Sequence, residues 1–358
     1  MNKFLIGAVA VLSVGTLVSS PALADQRKHV SVAGSSTVLP YANIVAEEFK
    51  KAFPKHKTVI ASGGSSKGIK LFCQGLGEAT IDVANASRKM KEKEVKKCAE
   101  KGVKEIIEVR FGYDGIVFAR DAKSEWKNFA LTPKDVYLAL ANVIPVGGKL
   151  VANPNKTWDQ VNPAFPKWKI TAYIPGENHG TREVFEKKVM RAGCKEVGGE
   201  KLHHAAVVAA GKVTAEKKIK KAAKKLCYKV RTDGASVDIA GDYTETLGRI
   251  DSNKQGIGVF GLSFYENNTD KLKVATMSGI APSVETISTG KYPVSRPLFF
   301  YVKKAHIGKI PGLKEYMEFF TSEKMIGEDG PLAEYGLVPM PKNEFDELNA
   351  AIKAQNVM

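Results

Sequence analysis

Val30-Ser31-Val32-Ala33-Gly34-Ser35-Ser36-Thr37-Val38-Leu39-Pro40 decides the fold of this chain. Val30 to Ala33 is a short β-branched run, the mark of a strand. Gly34 to Thr37 is a turn of glycine and hydroxyls. Pro40 stands where a helix begins, a position that tolerates its missing N–H. Tyr41, Ile44, Val45, Phe49 and Ala52 then recur at helical spacing until Pro54 ends the pattern. A strand that feeds a helix through a short loop leaves that loop at the carboxyl end of a sheet. Ligands bind there in open α/β folds.

The same unit repeats along the chain. Val59 to Ala61 is a strand leading into Gly63 to Ser66 and a helix striped by Ile69, Phe72, Cys73 and Leu76. Ile81 to Ala86 is a strand ending at Ser87-Arg88, followed by a charged helix to about Lys101 with Gly102 as its stop. Ile106 to Val109 and Ile116 to Ala119 are strands joined by Gly112-Tyr113-Asp114-Gly115, a turn signal at a connection between lobes. The segment from about Ala122 to Lys167 is rich in Pro, Asn and Gly, with a short helix over Pro133 to Ala141. Lys169 to Ile174 delivers another hydroxyl loop, His179-Gly180-Thr181-Arg182, and a helix carrying Val184, Phe185 and Val189 that ends near Gly193. Strands follow at Gly256 to Phe260, and at Leu272 to Ala275 and Pro297 to Val302 in a returning lobe, with a helix over Gly312 to Phe320. This alternation argues an α/β fold.

Three loops thus share one design: Gly34-Ser35-Ser36-Thr37, Gly63-Gly64-Ser65-Ser66-Lys67-Gly68 and His179-Gly180-Thr181-Arg182. A helix N-terminus offers free N–H groups and a partial positive charge. Taken singly, each hydroxyl is an ordinary cap worth about 1 kcal/mol. Together they describe a site that grips an oxyanion from several sides.

Met1 to Ala24 carries Lys3, an apolar run and the small-x-small end Ala22-Leu23-Ala24, the pattern of a secretory signal peptide. The mature chain is expected to start near Asp25 and to be soluble. Its four cysteines, Cys73, Cys98, Cys194 and Cys227, allow three pairings, of which the sequence neighbours Cys73–Cys98 and Cys194–Cys227 are favoured. Such bridges contribute about 3 kcal/mol each on the chain-entropy model. No Cys-x-x-Cys is present and adjacent His203-His204 diverge on a helix, so no metal and no cofactor is expected. The formal charge is +16, from 54 Lys and Arg against 38 Asp and Glu. Much of it lies in Lys89 to Lys104 and Lys212 to Lys229, the second interleaved with Ile219, Ala222, Ala223 and Leu226 as in a helix with a solvated lysine face. Export and the lack of any nucleic-acid motif exclude DNA and RNA as partners.

Read together, Ala33 to Pro40, Gly64 to Lys70, Asp82 to Arg88, Gly112 to Gly115, His179 to Arg182 and Gly256 to Gly261 resemble the periplasmic phosphate-binding proteins of phosphate ABC transporters (PstS-like), in order and spacing over nearly all of the mature chain. The resemblance implies a two-lobed type II periplasmic binding fold, each lobe a sheet flanked by helices, with the ligand in the interlobe cleft. Lobe 1 would comprise 25–112 and 271–358, and lobe 2 113–270, after a signal peptide at 1–24. Carried over residue by residue, it places Thr37, the Val38 N–H, Ser65, Gly180 and Thr181 on phosphate. Ser36, Ser66 and Ser87 are neighbouring donors. The chain departs from the family pattern at Pro175, where many members have Arg, at His179, where they have Ser, and at Ser87, where some have a proton-accepting carboxylate. Arg88 is therefore the first candidate for a charged contact and Arg182 the second, with His179 as a further donor. Asp82, Glu177 or a backbone carbonyl would accept the phosphate proton.

The implied function is a non-catalytic, monomeric periplasmic receptor that captures inorganic phosphate and hands it to an inner-membrane ABC permease. One alternative is a receptor for sulfate, molybdate or an organic phosphate. A second is a secreted phosphatase using Ser36 or Ser65, against which stand the missing Gly-x-Ser-x-Gly elbow, base partner and metal ligands. A third is a surface-interaction protein using the lysine faces.

Overall fold

Strand β1 (His29–Gly34) runs parallel to β2 (Lys57–Ser62) on one side and β3 (Val83–Ala86) on the other. Helix α1 (Leu39–Ala52) connects the first two and buries Tyr41, Val45 and Phe49 of the predicted stripe together with Ala42, while Ile44 is half-buried and Ala52 exposed. Helix α2 (Ser65–Phe72) leads from β2 to β3 and buries Ile69 and Phe72. Loops after β1 and β2 therefore emerge side by side. The end of β1 also approaches β3 closely, which requires glycine: Gly34 sits at φ +150°, and a Cβ there would lie 2.1 Å from the Asn85 carbonyl oxygen. The computed structural model describes residues 27–177 and 180–358. The expected signal peptide and His179 lie outside them.

The sheet has ten strands, and the long strand β4 (Ile106–Asp121) is its junction. On one side the return strand Ser295–Lys303 lies antiparallel between β3 and the first half of β4. On the other, Ile257–Gly261 pairs antiparallel with Ile116 to Arg120 and continues in parallel to Ala172–Pro175 and then Ser236–Ile239. The result is a two-lobed α/β fold whose lobes share β4. Helices cover the sheet, and buried Val, Ile, Phe and Tyr side chains form its core.

Four local expectations change. Gly112-Tyr113-Asp114-Gly115 is not a turn; β4 runs straight through it. The return strand pairs with Tyr113, Asp114 and Gly115, and these ladder bonds override the turn tendency of Asp-Gly. Gly193 does not stop its helix. Helical backbone continues from Gly180–Val184 through a π-helical Phe185–Met190 to Arg191–Glu196. Gly193 is instead a close approach, since a Cβ there would meet the Pro133 carbonyl oxygen at 2.2 Å. Leu272–Val274 pairs with Ala119 to Asp121, on the second half of β4 rather than with the returning strand. In the lysine-rich helix Glu216–Cys227 the buried stripe is Ile219, Ala223 and Cys227, and Leu226 is exposed.

Both favoured disulfides are present, Cys73–Cys98 and Cys194–Cys227. Cys194, His203 and Cys227 lie close enough to suggest metal ligands, but the bridge already consumes both sulfurs. No helix among the described residues is long and apolar enough to cross a membrane.

Candidate functional site

The first loop brings Thr37 to the centre of the cleft. Thr37 is fully buried, its N–H donates to Ser35 Oγ at 3.2 Å, and Ser36 beside it is exposed. Val38, not Thr37, occupies the cap position of α1 and makes no side-chain cap bond, so the Thr37 hydroxyl is not spent on the helix. In the second loop Ser65 Oγ accepts from the Ser87 N–H at 3.1 Å and lies 3.3 Å from Ser87 Oγ. This ties the end of β2 to the end of β3. Ser66 is exposed and accepts from Arg88 Nη2 at 3.1 Å.

The charge at the centre comes from a residue that motif reading missed. Arg296 enters from the start of the return strand with its side chain only 9% exposed. Its Nη2 donates to Thr37 Oγ1 at 2.6 Å and its Nη1 to Ser87 Oγ at 3.2 Å. Asp114, its register partner on β4, backs the guanidinium at 3.4 Å. Burial pushes the Asp114 carboxyl up and the Arg296 guanidinium down, and each partner pulls the other back toward the charged form. The available signal was an arginine opening an otherwise apolar run, Arg296-Pro297-Leu298-Phe299-Phe300-Tyr301-Val302, across from an aspartate inside another apolar strand. A charge in such a strand needs a buried partner.

From the facing side comes Glu183, on the helix that follows the third loop. Its Oε2 accepts from Thr37 Oγ1 and, at 3.3 Å, from Arg296 Nη2. Its Oε1 accepts from Lys187, one turn further on. Glu183 and Lys187 line two adjoining cavities. One also contains Ser36, Thr37, Glu177 and Arg182; the other contains Gly64, Ser65, Ser66, Ser87, Arg88 and Arg296.

The two arginines singled out in the sequence are otherwise engaged. Arg88 makes a fork with Glu94, both bonds 2.8 Å. Burial opposes ionisation of Glu94, but that fork and the Lys91 N–H hold its carboxyl below the usual range. Arg182 is buried and donates to the Pro175 carbonyl at 2.9 Å, Asp238 at 2.6 Å and Glu186 at 3.0 Å. Thr181 is buried beside Tyr41 and Tyr243 in a separate small cavity. Gly180 opens its helix. Of the acceptor candidates, Asp82 lies at the opposite end of β3, bonded to the Ser31 N–H at 2.7 Å, to His306 at 2.7 Å and to Arg27. It holds that end of the sheet together. Glu177 is exposed at the cavity rim.

Arg296, Thr37, Ser65 and Ser87 form one continuous chain of donors around a single buried guanidinium. Such a group has the donors and the charge to hold a compact oxyanion through charge-assisted bonds. Comparison with known proteins points the same way. Residues 19–324 match the family described as PBP superfamily domain. The chain is 30% identical over 326 residues to the phosphate-binding protein PstS of Staphylococcus saprophyticus, covering 88% of this chain and 81% of that protein. It is 28% identical over 328 residues to protein SphX of Synechococcus elongatus, covering 89% and 80%. Among solved structures, one described as a possible phosphate binding protein from Planctomyces limnophilus superposes with a TM-score of 0.67 at 24% identity, covering 92% of this chain and 99% of that one. PstS from Borrelia burgdorferi superposes with a TM-score of 0.53 at 20% identity, covering 88% and 100%. These two likenesses concern the fold.

Proposed function

The chain belongs to the PBP superfamily and, within it, to the PstS phosphate-binding proteins, and from that premise we propose that it captures inorganic phosphate between its lobes for import through an ABC permease. The observation that carries this is Arg296, a buried cation whose N–H groups already meet hydroxyls of two converging loops, at Thr37 and Ser87. A phosphate at that point exchanges its hydration shell for fixed donors. These are Arg296, the hydroxyls of Ser36, Thr37, Ser65, Ser66 and Ser87, and the N–H groups of Val38, Gly180 and Thr181. His179, next to Gly180 in the sequence, is proposed as a further donor. Arg88 and Arg182 add positive field rather than direct contacts, because Glu94 and Asp238 hold their guanidinium groups. Charge-assisted bonds in a cleft closed from water supply the affinity.

Closure follows from population shift: the ligand favours the closed form because only there do both lobes offer donors. We place the lobes at 25–112 with 295–358, and at 113–294, a later return than the expected 271. The pairing of Leu272–Val274 with the second half of β4 supports a return crossing closer to Ser295. The protein acts outside the cytoplasm, in the periplasm, as a monomer without catalytic turnover.

Calorimetric titration of ligand-stripped protein with phosphate and then sulfate tests this. One-to-one phosphate binding with sulfate silent is expected. Tight sulfate binding, or no response to phosphate, overturns the assignment.

A further inference from the structure

Building on the phosphate reading of this cleft, we propose that Glu183 is a tethered carboxylate that competes with the incoming oxyanion for Thr37 and Arg296, so that ligand binding is an exchange of one anion for another. Glu183 holds the donors that the ligand needs. Thr37 has one hydroxyl proton, and it is donated to Glu183 Oε2. A phosphate oxygen takes that proton only when the carboxylate gives it up. The Arg296 Nη2 that lies 3.3 Å from the same carboxylate oxygen is also the nitrogen nearest Thr37.

The shape of the cleft agrees. Glu183 lines both adjoining cavities, with Thr37 in one and Ser65, Ser87 and Arg296 in the other. An ion held by all four groups must occupy the position of the wall between them. The displaced carboxylate has a place to go, because Lys187 on its own helix already binds its other oxygen. The charges are consistent with an exchange. Arg296 and Lys187 face Asp114 and Glu183, so the group is balanced while Glu183 is seated. Moving Glu183 onto Lys187 frees the face of Arg296 that Glu183 covered, with Asp114 still backing the guanidinium from behind. Glu183 thereby sets the affinity: the apparent dissociation constant is the intrinsic one divided by the fraction of molecules whose carboxylate has moved aside.

The test is phosphate titration of wild type, Glu183→Gln and Glu183→Ala, each stripped of ligand and checked for cooperative unfolding, at about 0.1 M and about 1 M salt. The Debye length falls from about 10 Å to about 3 Å between the two. Losing a charge-assisted competitor should tighten phosphate binding roughly ten- to a hundred-fold in Glu183→Ala, and by a smaller factor in Glu183→Gln, whose amide oxygen still accepts from Thr37. The gain should survive high salt, since contact competition is not screened. Wild-type binding with no gain in either variant overturns the competitor while leaving the phosphate assignment intact. So does a gain that disappears at high salt, which marks a diffuse field. Weaker phosphate with stronger sulfate binding in both variants also overturns it, making Glu183 an acceptor for the ligand's proton. Failure of all three proteins to bind phosphate overturns the assignment and the inference together.

Discussion

Replacing Arg296 with Gln should separate the two things this residue does. Its guanidinium contacts Thr37 at 2.6 Å, Ser87 at 3.2 Å, Asp114 at 3.4 Å and Glu183 at 3.3 Å, and its side chain is 9% exposed. For folding, the important loss is the partner of Asp114, whose side chain is 1% exposed. Breaking a buried pair from one side costs about 3–5 kcal/mol, mostly for the charge left behind. Burial already pushes the Asp114 carboxyl up, so without Arg296 it takes a proton and recovers part of that cost. For binding, a bidentate contact to phosphate is lost. At about 1.5–3 kcal/mol per charge-assisted bond, two bonds amount to about 3–6 kcal/mol, or roughly a hundred- to ten-thousand-fold in dissociation constant. Urea unfolding and phosphate calorimetry read the two effects separately. The double variant Arg296→Gln with Asp114→Asn should regain most of the stability and none of the affinity. If Arg296→Gln alone binds phosphate within about threefold of wild type, the buried guanidinium is structural only and the reasoning fails.

Three further outcomes follow from the fold. Gly34→Ala should destabilise the protein by about 3 kcal/mol or more, because the new Cβ meets the Asn85 carbonyl oxygen at 2.1 Å; an unchanged urea midpoint would show that the ends of β1 and β3 can separate freely. Removing the bridge between Cys194 and Cys227, separated by 33 residues, with paired Ser substitutions should cost roughly 4 kcal/mol on the chain-entropy model, read by thermal or urea unfolding. The Arg231 fork holds the Asp233 carboxyl well below its ordinary 3.8, with Lys156 adding to the effect. A depressed carboxylate stabilises the fold above its unfolded value and loses that contribution as pH falls. The gap between wild type and Asp233→Asn should therefore be full at neutral pH and close below 3.8, and it should stay under about 1 kcal/mol because Asp233 is 43% exposed.

The first two loops were legible because their signals are local. Strand, glycine turn, hydroxyls and an apolar helical stripe follow one another within about a dozen residues in Val30 to Pro40, and the chain folds as that order dictates. The cysteine pairs were legible for the same reason, as each joins near neighbours in sequence. What the sequence hid is non-local. Asp114-Gly115 has the composition of a turn, and only strands from distant parts of the chain make it part of a ladder. Gly193 resembles a helix stop until Pro133 is seen packed against it. Arg296 follows Thr37 by 259 residues, and nothing in either local context announces the other. Arg88 and Arg182, chosen for their nearness to the loops, are held by Glu94 and Asp238, contacts that depend on how the second element of each pair packs.

A crystal structure of the protein with phosphate bound tests the central claim most directly. Phosphate is expected on Arg296 within hydrogen-bond distance of Thr37, Ser65 and Ser87, with Glu183 withdrawn toward Lys187. Phosphate bound away from Arg296, or Glu183 still seated on Thr37 beside a bound phosphate, would contradict the account.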